Sequence, residues 1–154
     1  MASFVYNEGG RGIAALEIDW DNDTIKGALL MNTTTCDTEN DAMTFLSSFA
    51  TLGRSDDGSY PGDVTLATNS TTKVDASNRT ELRVSADAVF SGMAGDGTGT
   101  TYDGMLIYKF VTNDAASIPI AYIEFTTPIA IAATSVTVPV STTVPILVNS
   151  TSAP

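Results

Sequence analysis

Hydrophobic and polar positions alternate along much of this chain. Leu16, Ile18 and Trp20 are interleaved with Glu17 and Asp19, the pattern of a half-buried strand, and Asp21-Asn22-Asp23 follows as a turn signal. Ile25 to Met31 is a second apolar run, so residues 13–31 predict a hairpin. Residues 2–7 predict a short first strand, which Glu8-Gly9-Gly10-Arg11-Gly12 breaks. Further strands are predicted at residues 64–67, in a brief extended piece at 73–75, at 82–90, at 105–111 and at 118–125. Residues 113–117 connect the last two as a hairpin. The stretches 54–63 and 92–104 read as loops from their Gly, Asp and Ser content.

Residues 38–52 carry a different period. Ala42, Phe45, Leu46, Phe49 and Leu52 recur at three- and four-residue spacing, which predicts one short helix. Thr38 is the expected N-cap and Gly53 the expected residue just past the helix end; Glu39 and Asp41 suit the positive end of its dipole.

The last twenty residues, 135–154, alternate Val, Ile and Leu with Thr and Ser and hold no charge. Pro139 and Pro145 restrict their pairing to an edge or a bulge. An uncharged apolar edge invites aggregation unless covered. The segment is therefore expected to form an arm that docks on a neighbouring subunit, through Val136, Val138, Val140, Val144, Ile146 and Val148. Phe4, Val5 and Tyr6 are candidates for the same role. The alternative is that residues 135–148 finish the chain's own sheet.

Together these segments predict a mainly β fold, a single-domain β-sandwich or jelly-roll-like barrel of about seven to nine strands over residues 1–134, with the arm beyond it. The expected core is Leu16, Ile18, Leu29, Phe45, Leu46, Phe49, Leu82, Phe90, Leu106, Tyr108, Ile123 and Phe125. Truncating Phe45 or Phe125 to alanine is expected to cost about 3–5 kcal/mol.

Composition narrows the function. The 154 residues carry 7 Lys+Arg against 18 Asp+Glu, a formal net charge of −11. Such a surface repels polyphosphate and anionic lipid, so nucleic-acid and membrane partners are not expected. There is no histidine and a single cysteine, Cys36, which removes Ser-His-Asp and Cys-His machinery and any internal disulfide. The first residues hold no basic-then-apolar leader, and the expectation is a soluble protein made in a cytoplasm.

The individual motifs point to no chemistry. Asp19, Asp21 and Asp23 open like a calcium-binding EF-hand loop, but Thr24 and Leu30 stand where that loop needs Gly and Glu. Asp56-Asp57 and Asp96 read as solvated loop carboxylates. Gly92 to Gly97 lacks the Lys-Ser/Thr ending of a phosphate loop. Cys36 reads as an inert buried thiol. No catalytic residue, metal or cofactor is expected.

The order of phrases is more informative. The chain runs through Phe4-Val-Tyr-Asn7, Ile18-Asp-Trp20, Asp23-Thr-Ile-Lys-Gly-Ala-Leu-Leu-Met31, Phe45-Leu46, Val74-Asp75 and Asn78-Arg-Thr-Glu-Leu82. It continues with Ala86-Asp-Ala-Val-Phe90, Gly104-Met-Leu-Ile-Tyr-Lys109 and Ile120-Ala-Tyr-Ile-Glu-Phe125. Over residues 2–132 this resembles a family of small tailed-bacteriophage virion proteins encoded among the head genes, several of which are capsid decoration, or cement, proteins. The resemblance implies a non-enzymatic structural protein on the outer capsid surface, partnered by the major capsid protein and by itself as a dimer or trimer. The family usually has a longer loop after the helix and a polar C-terminal strand, where this chain has its Thr/Val/Pro-rich end. Alternatives are a neck or tail protein of the same phage, or a β-sandwich carbohydrate-binding or adhesin module. That last reading would use Tyr6, Trp20, Tyr60, Tyr102, Tyr108 and Tyr122 as an aromatic platform.

Overall fold

The computed structural model describes residues 3–38, 42–55, 59–67, 69–74, 79–93, 101–130, 135–140 and 146–149. In chain order the elements are β1 (Phe4–Val5), α1 (Asn7–Ala14), β2 (Ile25–Met31), a 3-10 turn (Leu46–Ser48), β3 (Val64–Thr65), β4 (Asn69–Val74) and β5 (Arg79–Val84). Then follow β6 (Ala88–Ser91), β7 (Thr101–Lys109), β8 (Ile118–Ala130), β9 (Ser135–Val138) and β10 (Ile146–Asn149). They form a five-stranded sheet of order β1-β8-β7-β2-β3, a three-stranded sheet β10-β5-β4 and a two-stranded sheet β6-β9, with every pairing antiparallel.

The large sheet is buried on both faces. Ile25, Leu29, Met105, Ile107 and Ile120 pack with Leu82 and Val84 of β5, Phe90 of β6, and Val136 and Val138 of β9. On the other face Ala28, Leu30, Leu106, Tyr108 and Tyr122 pack with Tyr6, Cys36, Leu46 and Phe49. Double burial explains why β2 and β7 read as near-continuous apolar runs rather than strict alternation.

The expectation of a β-sandwich or jelly-roll-like barrel is overturned, although the fold is mainly β. The strands fall into three separate sheets that do not close into a barrel. Closure would require the edge strands of the large sheet to pair onward. Those edges, β1 and β3, are two residues long each and offer almost no ladder.

The helix lies where a break was expected. Residues 7–14 read Asn-Glu-Gly-Gly-Arg-Gly-Ile-Ala, a sequence of low helix propensity. Tertiary packing overrides that propensity, because the glycines let the helix approach closely. A Cβ on Gly9 would lie 2.6 Å from the Ile120 Cα, and one on Gly12 would lie 2.7 Å from the Ile18 Cδ1. Gly10 faces open space. We therefore expect opposite outcomes from two neighbouring substitutions. Gly10→Ala should stabilise by about 0.5–1 kcal/mol through helix propensity. Gly9→Ala should destabilise by about 1–3 kcal/mol because the added methyl meets β8 backbone. Paired urea titrations read both.

The helix ends in a Schellman motif. The Glu17 N–H donates to the Gly12 carbonyl at 2.8 Å and the Leu16 N–H to the Ile13 carbonyl at 3.2 Å. Leu16 holds the left-handed position, φ 60°, that glycine ordinarily takes, at a cost of about 1–2 kcal/mol. Its side chain is 88% exposed, so Leu16 is not a core residue. This local bonding also removes the first arm of the hairpin expected at 13–31. The Ile18 N–H goes to Gly12, and the Asn22 and Asp23 N–H groups go to the Asp19 carbonyl, so no ladder forms. Ile18 and Trp20 are buried nonetheless, with the indole N–H donating to the Arg83 carbonyl at 3.0 Å.

The helix expected at 38–52 is absent over its described residues, 39–41 lying outside them. Only Leu46–Ser48 makes a helical turn, flanked by extended Phe45 and Phe49. Hydroxyls and neighbouring carbonyls take the backbone groups instead. The Ser48 hydroxyl accepts from the Phe45 N–H, and the Leu46 and Ser47 N–H groups donate to Ser117 and Asp114 carbonyls. The Thr34 hydroxyl donates to the Leu52 carbonyl, and the Thr35 hydroxyl accepts from the Thr51 N–H. Such competition is why Ser and Thr suit turns better than helix interiors. Phe45 is consequently exposed, while Leu46 and Phe49 are buried.

The β7–β8 hairpin forms as expected, lengthened at both strands: Thr101–Gly104 belong to β7 rather than to a glycine loop, and β8 runs on to Ala130. Met93 is buried in the core, and residues 94–100 lie outside the described residues.

Candidate functional site

Among the described residues, the densest polar constellation is built from three connections rather than from strands. Arg54 follows Gly53, whose φ of 66° turns the chain so that Arg54 bridges to Leu30 beside the end of β2. Asp63 immediately precedes β3, and Asp114 sits in the β7–β8 turn. The guanidinium holds all three places together. Its Nε donates to Asp63 at 2.8 Å, and its two terminal nitrogens grip Asp114 at 2.7 and 2.9 Å in a bidentate fork.

Two tyrosines complete the arrangement. Tyr60 and Tyr108 donate to the two oxygens of Asp63 at 2.9 and 2.6 Å. Tyr60 in turn accepts from the Leu29 N–H at 3.2 Å and stacks on Phe90. Asp63 therefore receives one charged and two neutral donors and is well satisfied for a nearly buried carboxylate. Burial works against the Arg54 charge, but its hydrogen bonds to Asp114 and Asp63 more than offset it and hold the guanidinium protonated.

Burial, followed by the neighbouring Asp63 charge, raises the Tyr60 phenol well above its ordinary value of 10.0. Burial, followed by the Asp63 hydrogen bond, does the same for Tyr108, and burial raises Tyr122. A phenol with a raised folded pKa keeps its proton where the unfolded chain has lost it. The folded state then binds more protons, so stability is full below about pH 10 and falls as pH rises above it. The expected result is that Tyr60, Tyr108 and Tyr122 ionise only with unfolding. Tyrosinate absorbance and far-ultraviolet circular dichroism, followed through one alkaline titration, should change together.

Chemically the arrangement is a clamp. Every acid in it faces Arg54, and both phenols are held protonated, so no group stands poised as a nucleophile or base. Sequence reading missed it, placing Arg54 and Asp63 in a loop and Asp114 in a hairpin connection. The available signal was scarcity: with only 7 Lys+Arg in the chain, an arginine inside a polar loop has many carboxylates competing for it.

The positions expected to contact neighbours are placed as follows. Phe4 and Val5 are half-buried in β1, paired with Tyr122 and Ala121, and Tyr6 is fully buried with its hydroxyl donating to the Cys36 carbonyl. Val136, Val138 and Val140 are buried, the first two in β9 against Phe90 and Ala88. Ile146 and Val148 lie in β10, paired with Leu82 and Thr80 of β5. Val144 lies outside the described residues. Ser135–Val138 and Ile146–Asn149 thus pair with strands of this chain.

The aromatic platform is not present as a surface. Tyr6, Trp20, Tyr102, Tyr108 and Tyr122 are buried, and Tyr60 is half-buried. Cys36 is a buried free thiol. Asp19, Asp21 and Asp23 bond within their own turn and to Thr71 and Lys109, and no cluster fit to hold a metal occurs among the described residues. Asp56, Asp57 and Asp96 lie outside those residues.

No protein-family model, curated protein or solved structure matches this chain. Function must be argued from the molecule itself.

Proposed function

We propose that the chain is a non-enzymatic structural protein of a tailed-bacteriophage virion, a decoration protein that binds the outer surface of the major capsid protein shell and stabilises it. The observation that carries this reading is the commitment of Arg54, Asp63, Asp114, Tyr60 and Tyr108 to one another. The densest set of chemistry-bearing side chains among the described residues holds loops in place, as a scaffold requires. The strand phrases from Phe4 to Phe125 support the phage assignment by resemblance. The net charge of −11 suits the outside of a shell better than its DNA-filled interior.

A ligand that binds only the intact shell raises the shell's apparent stability by mass action. Particles lacking the protein should therefore assemble but release DNA at lower temperature, and adding purified protein back should restore the native release temperature. Quantitative protein analysis of purified virions should find it in copy number near that of the major capsid protein. A few copies per particle would replace this reading with the neck or tail alternative.

A further inference from the structure

The residue least expected where it stands is Leu16. It occupies the glycine position of the helix-ending motif, in left-handed backbone, and leaves its large apolar side chain 88% exposed. Two unfavourable features coincide at one side chain, and no packing among the described residues offsets them. Residues held in left-handed backbone cluster at ligand clamps and other functional sites.

That side chain forms one lip of a groove of about 390 Å³, lined also by Ile13, Ile18, Trp20 and Leu82, with Asp19 and Thr71 supplying its polar edge. The groove floor is therefore apolar and its rim is acidic. Glu17 and Asp19 flank Leu16 and Ile18 in the chain, and Asp21 accepts from the Thr71 hydroxyl at 2.9 Å. Among the described side chains, the nearby cations are already engaged. Arg11 bonds Glu8 and Glu17, Lys109 bonds Asp23, and Arg83 bonds Glu81. In the described contacts Asp19 and Asp21 accept only from neutral groups: backbone N–H, the Asn22 amide and the Thr71 hydroxyl.

We infer that this groove is a docking site for a basic partner segment that inserts a leucine- or phenylalanine-like side chain against Leu16 and Ile13, flanked by lysine or arginine facing Asp19 and Asp21. Charge chooses this occupant. A second copy of the chain would bring another acidic rim, from a molecule of net charge −11, onto the same face. The inference does not depend on the virion reading; it concerns the chemistry of the partner surface.

Trp20 is the chain's single tryptophan, so its fluorescence reports directly on the groove. The probes are three blocked synthetic pentapeptides: Lys-Leu-Lys-Leu-Lys, Glu-Leu-Glu-Leu-Glu and Lys-Ser-Lys-Ser-Lys. Only the first is expected to give a saturable Trp20 shift, weakening as salt is added. Leu16→Gly relieves the backbone strain while removing the apolar lip. It should melt at or above the native temperature yet bind the first peptide about tenfold or more weakly. Asp21→Asn keeps the acceptor for Thr71 and should weaken binding with a shallower salt dependence.

Equal responses to all three peptides, no response to the first, or unchanged affinity in Leu16→Gly would each overturn the site. A Leu16→Gly protein that melts below the native one would show that the leucine serves the fold. Sedimentation showing a dimer that Leu16→Gly abolishes would assign the groove to a second copy and overturn the basic partner.

Discussion

Phe90→Ala is expected to lower the unfolding free energy by about 3–5 kcal/mol, read as a reduced urea midpoint with little change in slope. Phe90 is completely buried, and its ring stacks on Tyr60 at 6.0 Å between centroids. Its backbone pairs with Val136, so the side chain stands where β6, β9 and the 59–63 connection meet the large sheet. The contrast is Phe45→Ala. Phe45 is 38% exposed, so its truncation should cost below about 1 kcal/mol, against the larger value its spacing in the sequence suggests.

The second large effect is expected from Arg54→Ala. Removing one member of a partly buried ion pair leaves the other charge without its partner, which costs about 3–5 kcal/mol when both are fully buried. Arg54 retains 27% side-chain exposure and Asp114 44%, whereas Asp63 retains only 9%. Water can therefore recover Asp114 but reaches Asp63 poorly, and we expect a loss of about 2–3 kcal/mol. Arg54→Lys should recover part of it, since lysine supplies charge without the fork that grips Asp114. Asp114→Asn should cost least of the three. Equal losses for Arg54→Ala and Asp114→Asn would show that the fork, rather than the Asp63 contact, carries the stability.

Elements whose signal is local were legible in the sequence. The β7–β8 hairpin announces itself through two long apolar runs around Asn113–Ser117, although two irregularities shift its register further along the strands. The three misread segments share a different cause. In α1, glycines that look like a break permit close approach to Ile120, a residue far away in the chain. Around Leu46, helical spacing of apolar residues coexists with hydroxyls that take the backbone groups for themselves. After α1, the alternation of Leu16, Ile18 and Trp20 reflects burial of the latter two without any ladder. The Arg54 clamp was illegible for the same reason as α1: its partners come from a loop, a strand start and a hairpin turn that only the folded sheet brings together.

The order of strands in the large sheet also fixes an order of events in time. Val5 pairs with Ala121 and Phe4 with Tyr122, so β1 has no partner until β8 has left the ribosome. The β7–β8 hairpin can form from neighbouring residues, and β2 can then add to β7, but α1 packs on β8 and must wait with β1. Pairing across such sequence distances places refolding in the range of milliseconds to seconds rather than microseconds. During synthesis the open side of β8 stands as an unpaired edge until the N-terminal strand and its helix fold back to cover it.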